Sequence, residues 1–136
     1  MTAFFFGLSQ YGDWALLAIR IAVGAIFIAH GQGKRGLWKA QPSEQLPAGL
    51  LKLMRFLSIV EPLGGLAVLL GFLTPLAAIG LGLVMLGALR YKIFIWQSPF
   101  SATDKLGWEF DLLILAACLA LLLMGGGAFS LDALWL

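Results

Sequence analysis

Apolar residues fall into four long, nearly unbroken runs: Trp14–Gly31, Leu50–Gly71, Pro75–Trp96 and Trp108–Gly125. A helix that crosses a bilayer needs about 20 mostly apolar residues, with a range of about 17–25. Each run meets that length. The polar connections between them are too short to form a second domain. The pattern predicts an all-α chain with a single domain over residues 1–136. Its architecture is an integral membrane four-helix bundle running up-down-up-down.

Local signals set the expected ends of these helices. Asp13 is placed to N-cap the first helix ahead of Trp14. That helix is expected to end at His30-Gly31. Pro42 and Pro47 prevent the following loop from being one regular helix, and its Leu37-Trp38 pair is placed to dip into the membrane interface. Pro62 falls inside the second helix, where it removes one backbone bond and favours a kink. Gly71-Phe72-Leu73-Thr74-Pro75 reads as a tight turn. Gly71 suits a left-handed C-terminal position, Thr74 a cap and Pro75 a first helical turn. Helices two and three are therefore expected to be antiparallel. In the third helix, Ala78 and Gly82 form a small-xxx-small face of the kind that lets helices approach closely in lipid. Phe4–Phe6 read as interfacial anchors, and the first span as retained rather than cleaved. The apolar tail Ala128–Leu136 is expected to lie along the membrane interface.

Composition excludes an ordinary soluble fold. The chain is 61% hydrophobic and 12% charged, whereas about 25% charged is typical of soluble proteins. Charge placement adds direction. Lys34, Arg35, Lys39, Lys52, Arg55, Arg90, Lys92 and Lys105 lie at one end of the predicted spans, and no Lys or Arg lies at the other. Short loops rich in Lys and Arg stay cytoplasmic. Both termini are thus expected to be extracytoplasmic, with loops Gln32–Gly49 and Gln97–Gly107 inside. Trp38, Tyr91, Trp96 and Trp108 accompany the basic residues as a headgroup-level belt would, so the expected partner is the lipid bilayer and not nucleic acid.

Candidate chemistry lies with polar groups inside the spans, because such groups are costly there and usually functional. Arg20 and Glu61 have opposite signs and similar depths by helical rise, which predicts a buried ion pair between helices one and two. The pair either fixes helix register or binds the polar head of a ligand. A second, inner cluster comprises His30, Arg90, Glu109 and Asp111, all near the basic surface. It suits proton relay or cation binding, or else plain interfacial ion pairing. One histidine with two acids is a poor metal set, and no metal site is predicted. Cys118 is the only cysteine. A dithiol mechanism needs two, so it reads as a small packing residue. No self-contained catalytic motif is present, and neither haem nor flavin is expected within this chain.

Several segments together resemble the DoxX family of bacterial membrane proteins. They are Leu17-Ala18-Ile19-Arg20, then Ala29-His30-Gly31 with Lys34, then Val60-Glu61-Pro62-Leu63-Gly64-Gly65 running on to Gly71-Phe72-Leu73-Thr74-Pro75, then Gly107-Trp108-Glu109-Phe110, and last Phe129-Ser130-Leu131-Asp132. The resemblance implies a multi-pass protein of the bacterial cytoplasmic membrane. One branch, DoxD-like, is associated with subunits of thiosulfate:quinone oxidoreductase, and other members are linked to redox or stress partners. Fold alone does not determine function.

The leading expectation is an accessory subunit of a membrane redox system. Arg20, His30 and Glu61 would bind a quinone or other small hydrophobic ligand, and Gly64 and Gly65 would leave room for its ring. It would meet another membrane or cytoplasmic redox protein, or a second copy of itself. The alternatives are a small carrier for a hydrophobic or metal-bound cargo, and a membrane scaffold for a cytoplasmic partner.

Overall fold

The computed structural model describes residues 9–101, 103 and 107–135. Four long helices dominate it: α1 (Gly12–Gly33), α2 (Ala48–Leu70), α3 (Thr74–Arg90) and α4 (Trp108–Met124). A 3-10 turn, Ser9–Tyr11, precedes α1, another, Arg35–Trp38, follows it, and a single helical turn α5 (Asp132–Trp135) closes the chain. The expected anchors Phe4–Phe6 lie outside the described residues, as does Lys105.

Burial is inverted relative to a soluble protein. Outward-facing Leu63, Leu76, Leu83, Leu113 and Leu123 are 62–76% exposed, while Arg20, Glu61 and Asp111 are at most 4% exposed. Apolar outside and polar inside is the pattern of a protein solvated by lipid. Gly12–Trp38, Ala48–Leu70 and Thr74–Ile95 are each long and apolar enough to cross a membrane.

The α1–α2 pair packs through glycine. A Cβ on Gly24 would fall 2.7 Å from the Gly65 carbonyl oxygen, and one on Gly65 would fall 2.8 Å from the Gly24 oxygen. The two backbones therefore touch, which only hydrogen side chains permit. Gly31 meets the Pro62 ring in the same way farther along. The α3–α4 pair closes over Leu81, Met85, Ile114, Cys118 and Leu121, all buried. Neighbouring helices run antiparallel. The α2–α3 turn is the tight one predicted: Gly71 is left-handed (φ 69°), the Gly71 N–H donates to the Val68 carbonyl and the Phe72 N–H to the Ala67 carbonyl. This is a Schellman closure.

The helix ends depart from expectation in several places. α1 runs two residues beyond Gly31. Asp13 lies inside the first turn of α1 rather than capping it, and its carboxylate accepts the Ala128 N–H at 2.8 Å. Thr74 is the first residue of α3 and its side chain does not cap it; the cap is the Asp132 carboxylate. α3 changes to a π-helical turn over Tyr91–Ile95 instead of continuing as an α-helix to Trp96. The tail is tied to the α2–α3 turn. It folds across the helix ends, with Leu131 N–H donating to the Leu70 carbonyl and Asp132 N–H to the Gly71 carbonyl.

Candidate functional site

Two polar clusters occupy opposite ends of the helices. The first lies beside the α2–α3 turn. The Arg20 guanidinium is 1% exposed and donates to four backbone carbonyls: Nε to Val68 at 2.9 Å, Nη2 to Leu69 at 2.8 Å, and Nη1 to Gly126 and Phe129, each at 2.9 Å. Val68 and Leu69 end α2, and Gly126 follows α4. A cation there meets the negative ends of two helices. Ser130, also buried, donates to the Gly127 carbonyl at 2.6 Å and accepts the Ala133 N–H. Trp14 packs against Phe129 with the rings tilted by 51° and their centroids 4.5 Å apart. Arg20 thus fastens α1 to α2 and to the tail.

Asp132 completes this end. Its Oδ1 accepts the Leu73 N–H at 2.6 Å and its Oδ2 the Thr74 N–H at 2.8 Å. Leu73 is left-handed (φ 48°), a strained conformation for leucine that the carboxylate helps to hold. Burial opposes the charge on Asp132. Hydrogen bonds from Thr74 and Leu73, together with the Arg20 charge, outweigh it and hold the carboxyl below the usual carboxylate range.

The expected Arg20–Glu61 pair does not form. Helical side chains lean toward the N-terminus of their own helix. Because α1 and α2 are antiparallel, Arg20 leans toward the turn and Glu61 leans toward the basic end. Matching the Cα depths left out that divergence.

Glu61 belongs to the second cluster. It is 2% exposed and forms an ion pair with Lys34, which follows α1 directly. Arg55, Ser58 and Glu61 recur every three residues, which puts them along one stripe of α2. All three reach the segment after α1. Arg55 Nε donates to the Leu37 carbonyl at 3.1 Å and Nη2 to the Ala40 carbonyl at 2.9 Å. Trp38 Nε1 donates to Ser58 Oγ at 2.9 Å. Trp38 thus reaches back to helix α2 with its indole N–H.

The other inner residues are only partly gathered. His30 sits between Phe27 and Phe110, with ring centroids 6.4 and 6.2 Å away. Asp111 pairs with Lys92 at 2.6 Å rather than with Arg90. Two residues turn a helix by about 200°, so only one of Arg90 and Lys92 faces α4. Lys92 does, and Arg90 is exposed. Glu109 is half-buried, and its Oε2 accepts no hydrogen bond among the described residues. Gly65 abuts α1, whereas Gly64, whose Cβ would fall 2.8 Å from the Leu81 side chain, lines an apolar groove with Val60, Leu63, Ala67 and Leu76.

Sequence reasoning passed over Lys34 and Lys92 as ion-pair partners, and Asp132 as a cap. The three-residue spacing of Arg55, Ser58 and Glu61 was the available signal for the α2 stripe. The DoxX family model matches residues 15–96, which hold Arg20, His30, Lys34 and Glu61. No curated protein matches the chain, and no solved structure does.

Proposed function

The chain belongs to the DoxX family of membrane proteins, and from that premise we propose that it is an accessory subunit of a membrane redox system. In this reading all four helices cross the bacterial inner membrane as a bundle, with both termini outside. The region of Glu61, Lys34 and His30 receives the polar head of a quinone or a similar small hydrophobic ligand.

One observation carries the reading. Arg20 has its donors engaged by backbone carbonyls, so its role is structural. Glu61 is as deeply buried, yet its partner is one flexible, partly exposed lysine. Placing an ionisable group in a span costs about 2.5–3.5 kcal/mol. Glu61 has no cage that accounts for it.

The residues fit a quinone-type head in chemistry. Lys34 donates to a carbonyl, Glu61 accepts from a hydroxyl, and His30 does either. Phe27 and Phe110 around His30 supply apolar ring contact. A bound quinone would supply the redox chemistry. The chain's own groups would orient the head, hold a proton at Glu61 and keep water away. Arg20 lies at the other end and Gly65 abuts α1, so the polar contacts of the ligand narrow to His30, Lys34 and Glu61, and Gly64 opens on an apolar groove. A redox partner would meet the basic end, where the Lys and Arg residues lie.

Mass spectrometry of lipid extracts from gently purified protein tests the reading. The native chain and Arg90→Gln should retain a quinone in near-equal amount, and Glu61→Gln should lose most of it. Absence of any quinone from the native chain, or equal retention by Glu61→Gln, defeats it.

A further inference from the structure

The segment Lys34–Ala40 has an unusual attachment. None of the residues in its 3-10 turn, Arg35–Trp38, is buried. It contributes no side chain to the apolar core. Three polar latches tie it to α2 instead: the Lys34–Glu61 pair, the Trp38–Ser58 hydrogen bond, and Arg55 reaching the Leu37 and Ala40 carbonyls. All three latches fall on the single stripe Arg55, Ser58, Glu61. An element held by few polar contacts and no core packing opens at low free energy.

Beneath this segment the acceptors are concentrated. Glu61 is 2% exposed. Pro62 has no N–H, so the Ser58 carbonyl, one turn back, loses its helical donor. Ser58 Oγ already donates to the Arg55 carbonyl at 2.7 Å and accepts from Trp38. With the latches closed, Lys34 and Trp38 supply the donors. With them open, a buried carboxylate and a free carbonyl face the water at the basic end.

We propose that Lys34–Ala40 is a hinged strap that gates access from water to Glu61, latched by the Lys34–Glu61 pair, Trp38 and Arg55. The strap admits a head that donates hydrogen bonds or carries positive charge, because what it uncovers is acceptors only. The hydroxyl-bearing quinol form of such a head satisfies that as it enters, and the carbonyls of the oxidised form take their donor from Lys34 of the closed strap. This deepens the ligand reading of Glu61 and rests on it only for the identity of what enters. The gate itself is a property of the closed and open strap.

Modification by a water-soluble carbodiimide tests the gate on purified full-length protein. Reaction at Glu61 is read by peptide mass spectrometry, counting an internal amide to Lys34 as reaction. Exposed Glu44, in the loop beyond the strap, reports reagent supply. In the native chain Glu61 should react far more slowly than Glu44. Arg55→Ala and Trp38→Phe should each raise the Glu61 to Glu44 ratio, Arg55→Ala by about tenfold or more, as the loss of charge-assisted hydrogen bonds implies. Arg55→Lys should fall between. Trp38→Phe keeps the ring and removes only the indole donor, so it carries the test if Arg55→Ala does not fold. Glu61 reacting as fast as Glu44 in the native chain, or an unchanged ratio in folded variants, overturns the gate. Quinone retention is measured separately, so loss of the ligand reading with a rising ratio leaves the gate standing, and the converse leaves the ligand.

Discussion

The Asp132 carboxylate accepts the Thr74 amide N–H at 2.8 Å across 58 residues of chain. The N-cap of α3 is therefore supplied by the tail. This one contact joins the start of a membrane helix to the end of the protein, and through the Arg20 charge it also joins both to α1.

Removing the cap should be measurable. Asp132→Ala is expected to lower stability by about 1 kcal/mol, within the usual range of about 0.5–2 for an N-cap. Asp132→Asn keeps an acceptor but drops the charge, and should cost less. The pH dependence has a defined sign. The folded Asp132 carboxyl titrates below its ordinary value, so its stabilising effect is full above about pH 4. It is lost as pH falls through the lower, folded value. Thermal unfolding in detergent should show the native chain losing its margin over Asp132→Asn as pH drops below about 4. A margin that stays constant down to that range and beyond rules out the charge contribution.

Arg20 should be far less tolerant. Deleting the guanidinium orphans carbonyls at the ends of α2 and α4, at about 1–3 kcal/mol for each buried group left unsatisfied. Arg20→Leu is expected to cost at least about 3 kcal/mol. Arg20→Lys should recover part of this, since an ammonium keeps the charge but lacks the planar fork that reaches four carbonyls. Unfolding free energy in detergent measures both. Equal losses for Leu and Lys would show that the fork geometry contributes nothing.

The helices were legible in the chain because lipid solvation needs long apolar runs, and these stand out without any partner being known. The tight turn at Gly71 was legible for the same reason: its φ of 69° demands glycine locally. The tail was not. Asp132 bonds residues 58 and 59 positions away, and nothing in Phe129–Asp132 marks that reach. Arg20 was correctly singled out as buried, but its partners are backbone carbonyls, which every residue carries. Glu61 was singled out too, and its partner lay in the flanking loop rather than in a span.

The ion-pair reassignment makes a coupling prediction. Arg20→Gln and Glu61→Gln should now add within about 0.5 kcal/mol, because they share no partner. Lys34→Gln and Glu61→Gln should not add: either change alone leaves one charge without its partner, so the double variant loses less than the sum. A double-mutant cycle on unfolding free energy decides it. Strong coupling between Arg20 and Glu61 would overturn the assignment.

Orientation follows from the charges. Eight Lys and Arg residues flank the apolar runs on the basic side and none on the side of the turn and tail, and the proposed orientation, with the tail outside the cell, rests on that asymmetry. In a Cys118→Ala background, a cysteine at exposed Leu134 should react with a membrane-impermeant maleimide in intact cells, and one at exposed Lys39 should not. The reverse labelling pattern would invert the topology.

Glycine positions give the sharpest contrast between neighbouring substitutions. Gly24→Ala puts a methyl 2.7 Å from the Gly65 carbonyl oxygen, and that neighbour is backbone. Backbone cannot step aside as a flexible side chain can, so α1 and α2 must separate. Overpacking of this kind typically costs about 1–3 kcal/mol. Gly65→Ala meets the Gly24 oxygen at 2.8 Å and should behave alike. Gly80 is the control. It lies in the middle of α3, is exposed, and a Cβ there meets nothing within 4 Å. Gly80→Ala should therefore be neutral or stabilise by up to about 1 kcal/mol, as replacing a helical glycine does. The three variants differ from the native chain by one methyl each, so hydrophobicity cannot explain a difference among them. Unfolding midpoints in one detergent should order them as Gly80→Ala at or above native, with Gly24→Ala and Gly65→Ala well below. If Gly24→Ala and Gly80→Ala were equally stable, the backbone contact between α1 and α2 would be absent, and the register that separates Arg20 from Glu61 would lose its basis.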